Sequence, residues 1–146
     1  FNHVGPRQSD AFVASAFARQ IAEMEAGAVP PVLAVGNLDA QRDLTDVRDV
    51  VRAYVAIAEQ GATGRPYNVC SGRALSVRHL LALLCADARI PIRVEPDPAR
   101  FRPNDTPLVL GDPTRIRTEL GWAPEIPFQQ TLTDLLTYWR GRTTVA

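Results

Sequence analysis

The chain contains no lysine; all 16 of its basic residues are arginine. That absence removes any Tyr-x-x-x-Lys pair, in which a lysine helps a tyrosine give or take a proton. Cysteine is scarce too. Cys70 and Cys85 are too few for a disulfide framework and are spaced for neither a zinc knuckle nor a redox pair, so both read as buried thiols. There is no excess of one charge, since 16 acidic residues balance the 16 basic ones. This excludes the basic footprint of a nucleic-acid-binding domain and the polybasic patch of a membrane-surface protein, so neither partner is expected. No apolar run approaches the length of a membrane span. The start at Phe1-Asn2-His3 lacks the basic residues and apolar stretch of a signal peptide, and the cytoplasm is the expected compartment. Also absent are a glycine-rich strand-to-helix turn, an internal repeat, a low-complexity tract and an evident linker.

What remains is 146 residues with 46% apolar content, enough for one compact domain or a substantial piece of a larger one. Residues 1–4 read as the end of a strand entering a Gly5-Pro6 turn. Ser9 or Asp10 caps a helix over residues 11–26, with Val13, Phe17, Ile21 and Met24 on its apolar face and Gly27 at its end. Pro30-Pro31 leads into a strand over 32–35, and residues 47–60 form a helix with Val47, Val50, Val51, Tyr54, Val55 and Ala58 at helical spacing. A short strand is expected at 66–70, and a helix carrying Leu80, Leu81, Leu83 and Leu84 behind the Ser76 cap. A strand at 92–95 and a proline-rich loop to Pro107 follow. Asp112-Pro113 opens a short helix that ends at Gly121. The last helix buries Leu132, Leu135, Leu136 and Trp139. Strands alternating with helices argue for an α/β fold, and the opening in mid-strand implies that a preceding part is missing.

The segment from Leu33 to Val51 joins a buried strand, a polar turn containing Arg42 and a helix capped by Asp46. This order suits a nucleotide diphosphate held where elements meet. Gly36 leaves room for a ligand beside the backbone, and an arginine offers a planar fork of donors that matches phosphate oxygens.

Five segments in order carry a family resemblance: Phe-Asn-His-Val-Gly-Pro (residues 1–6), Val-Gly-Asn-Leu-Asp-Ala-Gln-Arg-Asp-Leu-Thr-Asp-Val-Arg-Asp-Val-Val-Arg-Ala-Tyr (35–54), Tyr-Asn-Val-Cys-Ser-Gly-Arg (67–73), Arg-Pro-Asn-Asp (102–105) and Gly-Trp-Ala-Pro (121–124). They resemble the carboxy-terminal half of extended short-chain dehydrogenase/reductases acting on nucleotide sugars, in the GDP-mannose branch and especially its GDP-4-keto-6-deoxy-mannose reductases. The resemblance implies that residues 1–146 are a substrate-binding α/β region of mixed small strands and helices. It also implies a separate amino-terminal Rossmann half holding NADPH or NADH and the catalytic groups, and a complete enzyme that is a homo-oligomer. The implied reaction is reduction of the C4 ketone of a GDP-4-keto-6-deoxy sugar to a product such as GDP-rhamnose. This chain by itself is then inactive. A 4,6-dehydratase or epimerase, and a truncated nucleotide-binding module without turnover, are the alternatives.

The same resemblance implies the site residues. Asn2 matches an asparagine that bonds the diphosphate; from its residue type alone it reads as a turn former bonding its own backbone. His3 matches a position on the nicotinamide side of the cofactor. Val13, with Phe12 beside it in the core, approaches the nucleotide, as do Val35 and Gly36. Arg42 and Arg102 form a two-loop clamp on the diphosphate, Asp105 accepts from the ribose hydroxyls, and Arg73 reaches ribose or phosphate. Gln8 departs from the arginine common there in dehydratases, so cofactor preference does not transfer through it. Arg48, Asp49, Arg52 and Glu59 read as a solvated helix face, and Trp122 and Trp139 as packing.

Overall fold

The computed structural model describes residues 1–101 and 106–143. Its elements run β1 (Asn2–Val4), α1 (Val13–Glu25), β2 (Val32–Val35), β3 (Gln41–Asp46), α2 (Val47–Gln60), β4 (Ala74–Ser76), α3 (Val77–Ala86), β5 (Arg93–Pro96), a 3-10 turn (Pro98–Arg100), β6 (Leu108–Val109), α4 (Thr114–Leu120) and α5 (Phe128–Arg140). The fold is mixed α/β. None of the described helices is long and apolar enough to cross a membrane.

Strand β3 organises the first sheet. It pairs in parallel with β1 (Asn2 opposite Leu44, Val4 opposite Asp46), antiparallel with β4 (Gln41 opposite Ser76) and in parallel with β6 (Arg42 opposite Val109). The second sheet is the parallel pair β2 and β5, with Leu33 opposite Val94. The expected polar turn around Arg42 is therefore a strand. Its buried side chains are Asp43, Thr45 and Asp46, so the alternation that marks a half-buried strand is present with polar residues facing inward.

Helix α1 starts two residues later than expected. Ser9 accepts the Ala11 N–H on its hydroxyl at 3.2 Å and the Phe12 N–H on its carbonyl at 3.2 Å, closing a turn ahead of the helix and leaving Phe12 as a cap without a side-chain bond. Phe17, Ile21 and Met24 are buried against α5 and α3, whose Leu132, Leu135, Leu136, Leu80 and Leu84 complete the main core with Leu33 and Val35 of β2. Each such fully buried aliphatic side chain stabilises the fold by about 1.5–3 kcal/mol. Other caps match the sequence reading: Asp46 accepts from the Arg48 N–H at 2.8 Å, Ser76 from the His79 N–H at 3.1 Å, and Gly121 closes α4 with φ +64°.

Several expectations are corrected. Residues 66–70 form no strand; the third strand partner is β4, just beyond the Ser71-Gly72 turn, where Gly72 has φ +76°. On α2 the buried side chains are Asp49, Val50 and Ala53, while Val51, Tyr54 and Val55 are more than half exposed. Asp49 is not solvated: it accepts from the backbone N–H groups of Glu125 and Ile126 at 3.1 and 3.0 Å and from Arg52, and the Trp122 indole donates to its carbonyl. Arg48 bridges buried Asp46 (2.7 Å) and Asp134 (2.8 Å) rather than lying loose in solvent. Cys70 is buried and Cys85 half-buried; burial pushes the Cys70 thiol up to about 11 and Cys85 above its ordinary value.

Candidate nucleotide-sugar site

A cleft of about 460 Å³ opens between the two sheets and α1. Asn2 of β1, Asp10 to Val13 at the entrance to α1, Ala34, Gly36, Asn37 and Leu38 around the end of β2, and Arg42 and Leu44 of β3 form its walls. Val77 and Leu80 of α3 and Ala99 to Phe101 of the 3-10 turn close it. Strand periodicity decides which side chains reach it. On β3, Arg42 and Leu44 face the cleft, and Asp43 and Thr45 are buried on the other side. On β2, Ala34 lines the cleft while Leu33 and Val35 point into the core.

Arg42 is held in a defined direction. Its Nη1 donates to the Gln41 carbonyl at 2.8 Å and to the Thr106 carbonyl at 2.7 Å, tying β3 to the segment that leads into β6. Beneath it, Asp43 accepts from the Ser71 N–H and hydroxyl, the Gly72 N–H and the Gly111 N–H. Four donors on one buried carboxylate lock two loops to the strand that carries Arg42. Arg100, also on the wall, bonds Asp97 through Nε at 3.2 Å.

Of the residues singled out from the sequence, Asn2, Val13, Gly36 and Arg42 meet on the cleft wall. Val35 does not; its side chain is 2% exposed within the core. The room beside Gly36 is also not ligand space, because a Cβ there would collide with the Arg100 backbone carbonyl. Glycine at this position admits the 3-10 turn. His3 lies one residue along β1 from Asn2, hence on its other face, and Arg73 sits on the exposed turn after Gly72; neither lines the cleft. Arg102 and Asp105 lie outside the described residues. Sequence reasoning missed Asp10, Arg100 and Phe101, and put Phe12 in the core although it is 58% exposed at the cleft. Among the described residues no cluster of three metal-ligating side chains forms.

The turn after β1 does not form the pyrophosphate cradle of a dinucleotide site. A pyrophosphate cradle needs glycines whose missing side chains let the ligand approach. The turn after β1 offers Gly5-Pro6, and a Cβ on Gly5 would lie 2.6 Å from Val47 Cγ1, so that space already belongs to α2.

Residues 1–135 match the family model described as GDP-mannose 4,6 dehydratase. The chain is 42% identical over 142 residues to the GDP-6-deoxy-D-mannose reductase of Pseudomonas aeruginosa, covering 97% of this chain and 47% of that protein. It is 28% identical over 165 residues to a GDP-mannose 4,6-dehydratase of Vibrio cholerae, covering 93% and 44%. Among solved structures, that of RMD from Pseudomonas aeruginosa complexed with NADPH superposes with a TM-score of 0.91 at 39% identity, covering 98% of this chain and 47% of that one. The chain thus spans about half the length of the curated relatives it matches.

Proposed function

We propose, from the premise that this chain belongs to the GDP-mannose 4,6 dehydratase family, that it is the sugar-nucleotide-binding half of a GDP-4-keto-6-deoxy-mannose reductase. In this reading Arg42 neutralises the diphosphate, with the Asn2 amide donating to it from β1. Arg102 and Asp105 complete the clamp and the ribose contact. The observation that carries the reading is the convergence of Asn2 and Arg42 on one cleft from two strands paired in register. An arginine fork and an amide facing one cavity suit an anionic ligand, each charge-assisted bond contributing about 1.5–3 kcal/mol.

Reduction needs a nicotinamide cofactor and a proton donor, and the lysine-free chain has no Tyr-x-x-x-Lys pair. Both belong, in this account, to an amino-terminal Rossmann half, with His3 on the face of β1 turned toward it. The product is a GDP-6-deoxy sugar such as GDP-rhamnose, and the complete enzyme is a homo-oligomer. Reductase is preferred to dehydratase because the reductase relative is the more similar, at 42% against 28% identity.

The test supplies the complete protein with GDP-4-keto-6-deoxy-mannose and NAD(P)H and follows nicotinamide absorbance. Oxidation of the cofactor with formation of a GDP-6-deoxy-hexose supports the reading. Dehydration of GDP-mannose without that oxidation replaces it with the dehydratase.

A further inference from the structure

Two of the most exposed large apolar side chains stand on the same cleft. Phe12 is 58% and Phe101 52% exposed, one at the entrance to α1 and the other just after the 3-10 turn. Phenyl rings left in water at a cavity mouth forgo the gain of burial, and a planar ligand between or against them restores it. Leu38, Val77 and Leu80 continue the apolar wall inward.

Asp10 is the one carboxylate among the described residues lining this cleft. Its Oδ2 lies 3.1 Å from Arg19 Nε, and Arg19 is in turn held by Glu23 through Nη1 at 3.0 Å. The ion pair fixes the position of the carboxylate at the cleft. An ionised carboxylate only accepts. Guanine presents two adjacent donors on its Watson–Crick edge, N1–H and N2–H₂. Adenine presents a lone pair at N1, and uracil one donor between two carbonyls, so both set an acceptor against Asp10.

Resting on the nucleotide-sugar reading above, we propose that Asp10 selects guanine by accepting from its N1–H and N2–H₂ groups while Phe12 and Phe101 hold the plane of the base. Arg19 is then a positioning residue, acting through Asp10. Base choice and phosphate binding are thereby divided between different elements: the entrance to α1 reads the base and β3 neutralises the diphosphate.

The experiment is calorimetric titration of the complete protein with GDP, IDP, ADP and UDP, for wild type, Asp10→Asn, Phe12→Ala, Phe101→Ala and Arg42→Ala. Inosine lacks the N2 amino group, so wild type is expected to bind IDP about tenfold or more weakly than GDP. Asp10→Asn is expected to lose about tenfold or more for GDP and to erase the preference for GDP over IDP. The two phenylalanine variants weaken GDP and IDP alike, as Arg42→Ala does. Asp10→Asn retaining the full GDP over IDP preference, or wild type binding the two equally, overturns the inference and leaves the nucleotide-sugar reading standing. Wild type binding none of the four overturns that reading itself. Unchanged GDP affinity in both phenylalanine variants removes the stacking role.

Discussion

The Asp43 carboxylate accepts both the backbone N–H and the hydroxyl of Ser71, at 2.8 and 2.6 Å, from a position with no solvent exposure. Together with the N–H groups of Gly72 and Gly111 this makes Asp43 the tie between β3 and the turns that precede β4 and follow β6. Its neighbour along the strand is Arg42, so the same tie holds the cleft wall in place. Asp43→Ala is expected to destabilise the fold by about 3–5 kcal/mol, because buried donors are left unpaired. Urea denaturation measures it; a loss below about 1 kcal/mol would show that water replaces the carboxylate at little cost.

Arg48→Ala, which the sequence marks as a silent surface change, is expected to cost about 1–2 kcal/mol, since buried Asp46 loses its charged partner while keeping the Arg48 N–H cap. Nucleotide affinity stays unchanged, because Arg48 is not on the cleft. Thermal unfolding and a nucleotide titration on the same sample separate the two effects.

Acid should weaken the fold at two places. Burial pushes Glu25 up, yet hydrogen bonds from Arg140 and the Arg89 N–H outweigh it and hold the carboxyl below its ordinary 4.5. Asp46 is likewise held below its ordinary 3.8, burial being outweighed by Arg48 and Thr131. Groups whose pKa falls on folding stabilise above the unfolded value and lose that contribution as pH falls through the folded one. The contribution of these two carboxylates is therefore expected to be level above about pH 5 and to drop below the two ordinary values, with Glu25→Gln flattening the upper part of the slope. A pH series of melting temperatures that is flat down through this range would contradict the assignment.

Val51, Tyr54 and Val55 form an exposed apolar ridge at i, i+3 and i+4 on α2. If this face meets the Rossmann half, the isolated 146-residue chain self-associates with rising concentration, and Val51→Ser combined with Tyr54→Ser returns it toward monomer. Sedimentation velocity distinguishes this from a chain that stays monomeric at every concentration, which would leave the ridge without that role.

Helices were legible where caps and spacing agree, as at Asp46, Ser76 and Gly121. Strand β3 was not, because its inward side chains are Asp43 and Thr45, and periodicity is read from apolar residues. The same rule misjudged α2: apolar spacing alone does not tell a core face from a face turned outward, and Val51, Tyr54 and Val55 joined Val50 in one stripe. Asp49 looked solvated because its partners, the N–H groups of Glu125 and Ile126, lie more than 70 residues away in sequence. Alternation along β2 separates Ala34, on the cleft, from Val35, in the core, and is readable in the sequence itself. Residue type alone places Phe12 in the core, because it carries no information about cavity mouths.

The most direct measurement is calorimetric binding of GDP and of mannose to the complete protein, with Arg42→Ala beside wild type. GDP is expected to bind far more tightly than mannose, and Arg42→Ala to weaken GDP by about 1.5–3 kcal/mol with NAD(P)H affinity unchanged. Equal affinity for GDP and mannose, or an Arg42→Ala variant that keeps GDP and loses the dinucleotide, would contradict the assignment of this cleft to the sugar nucleotide.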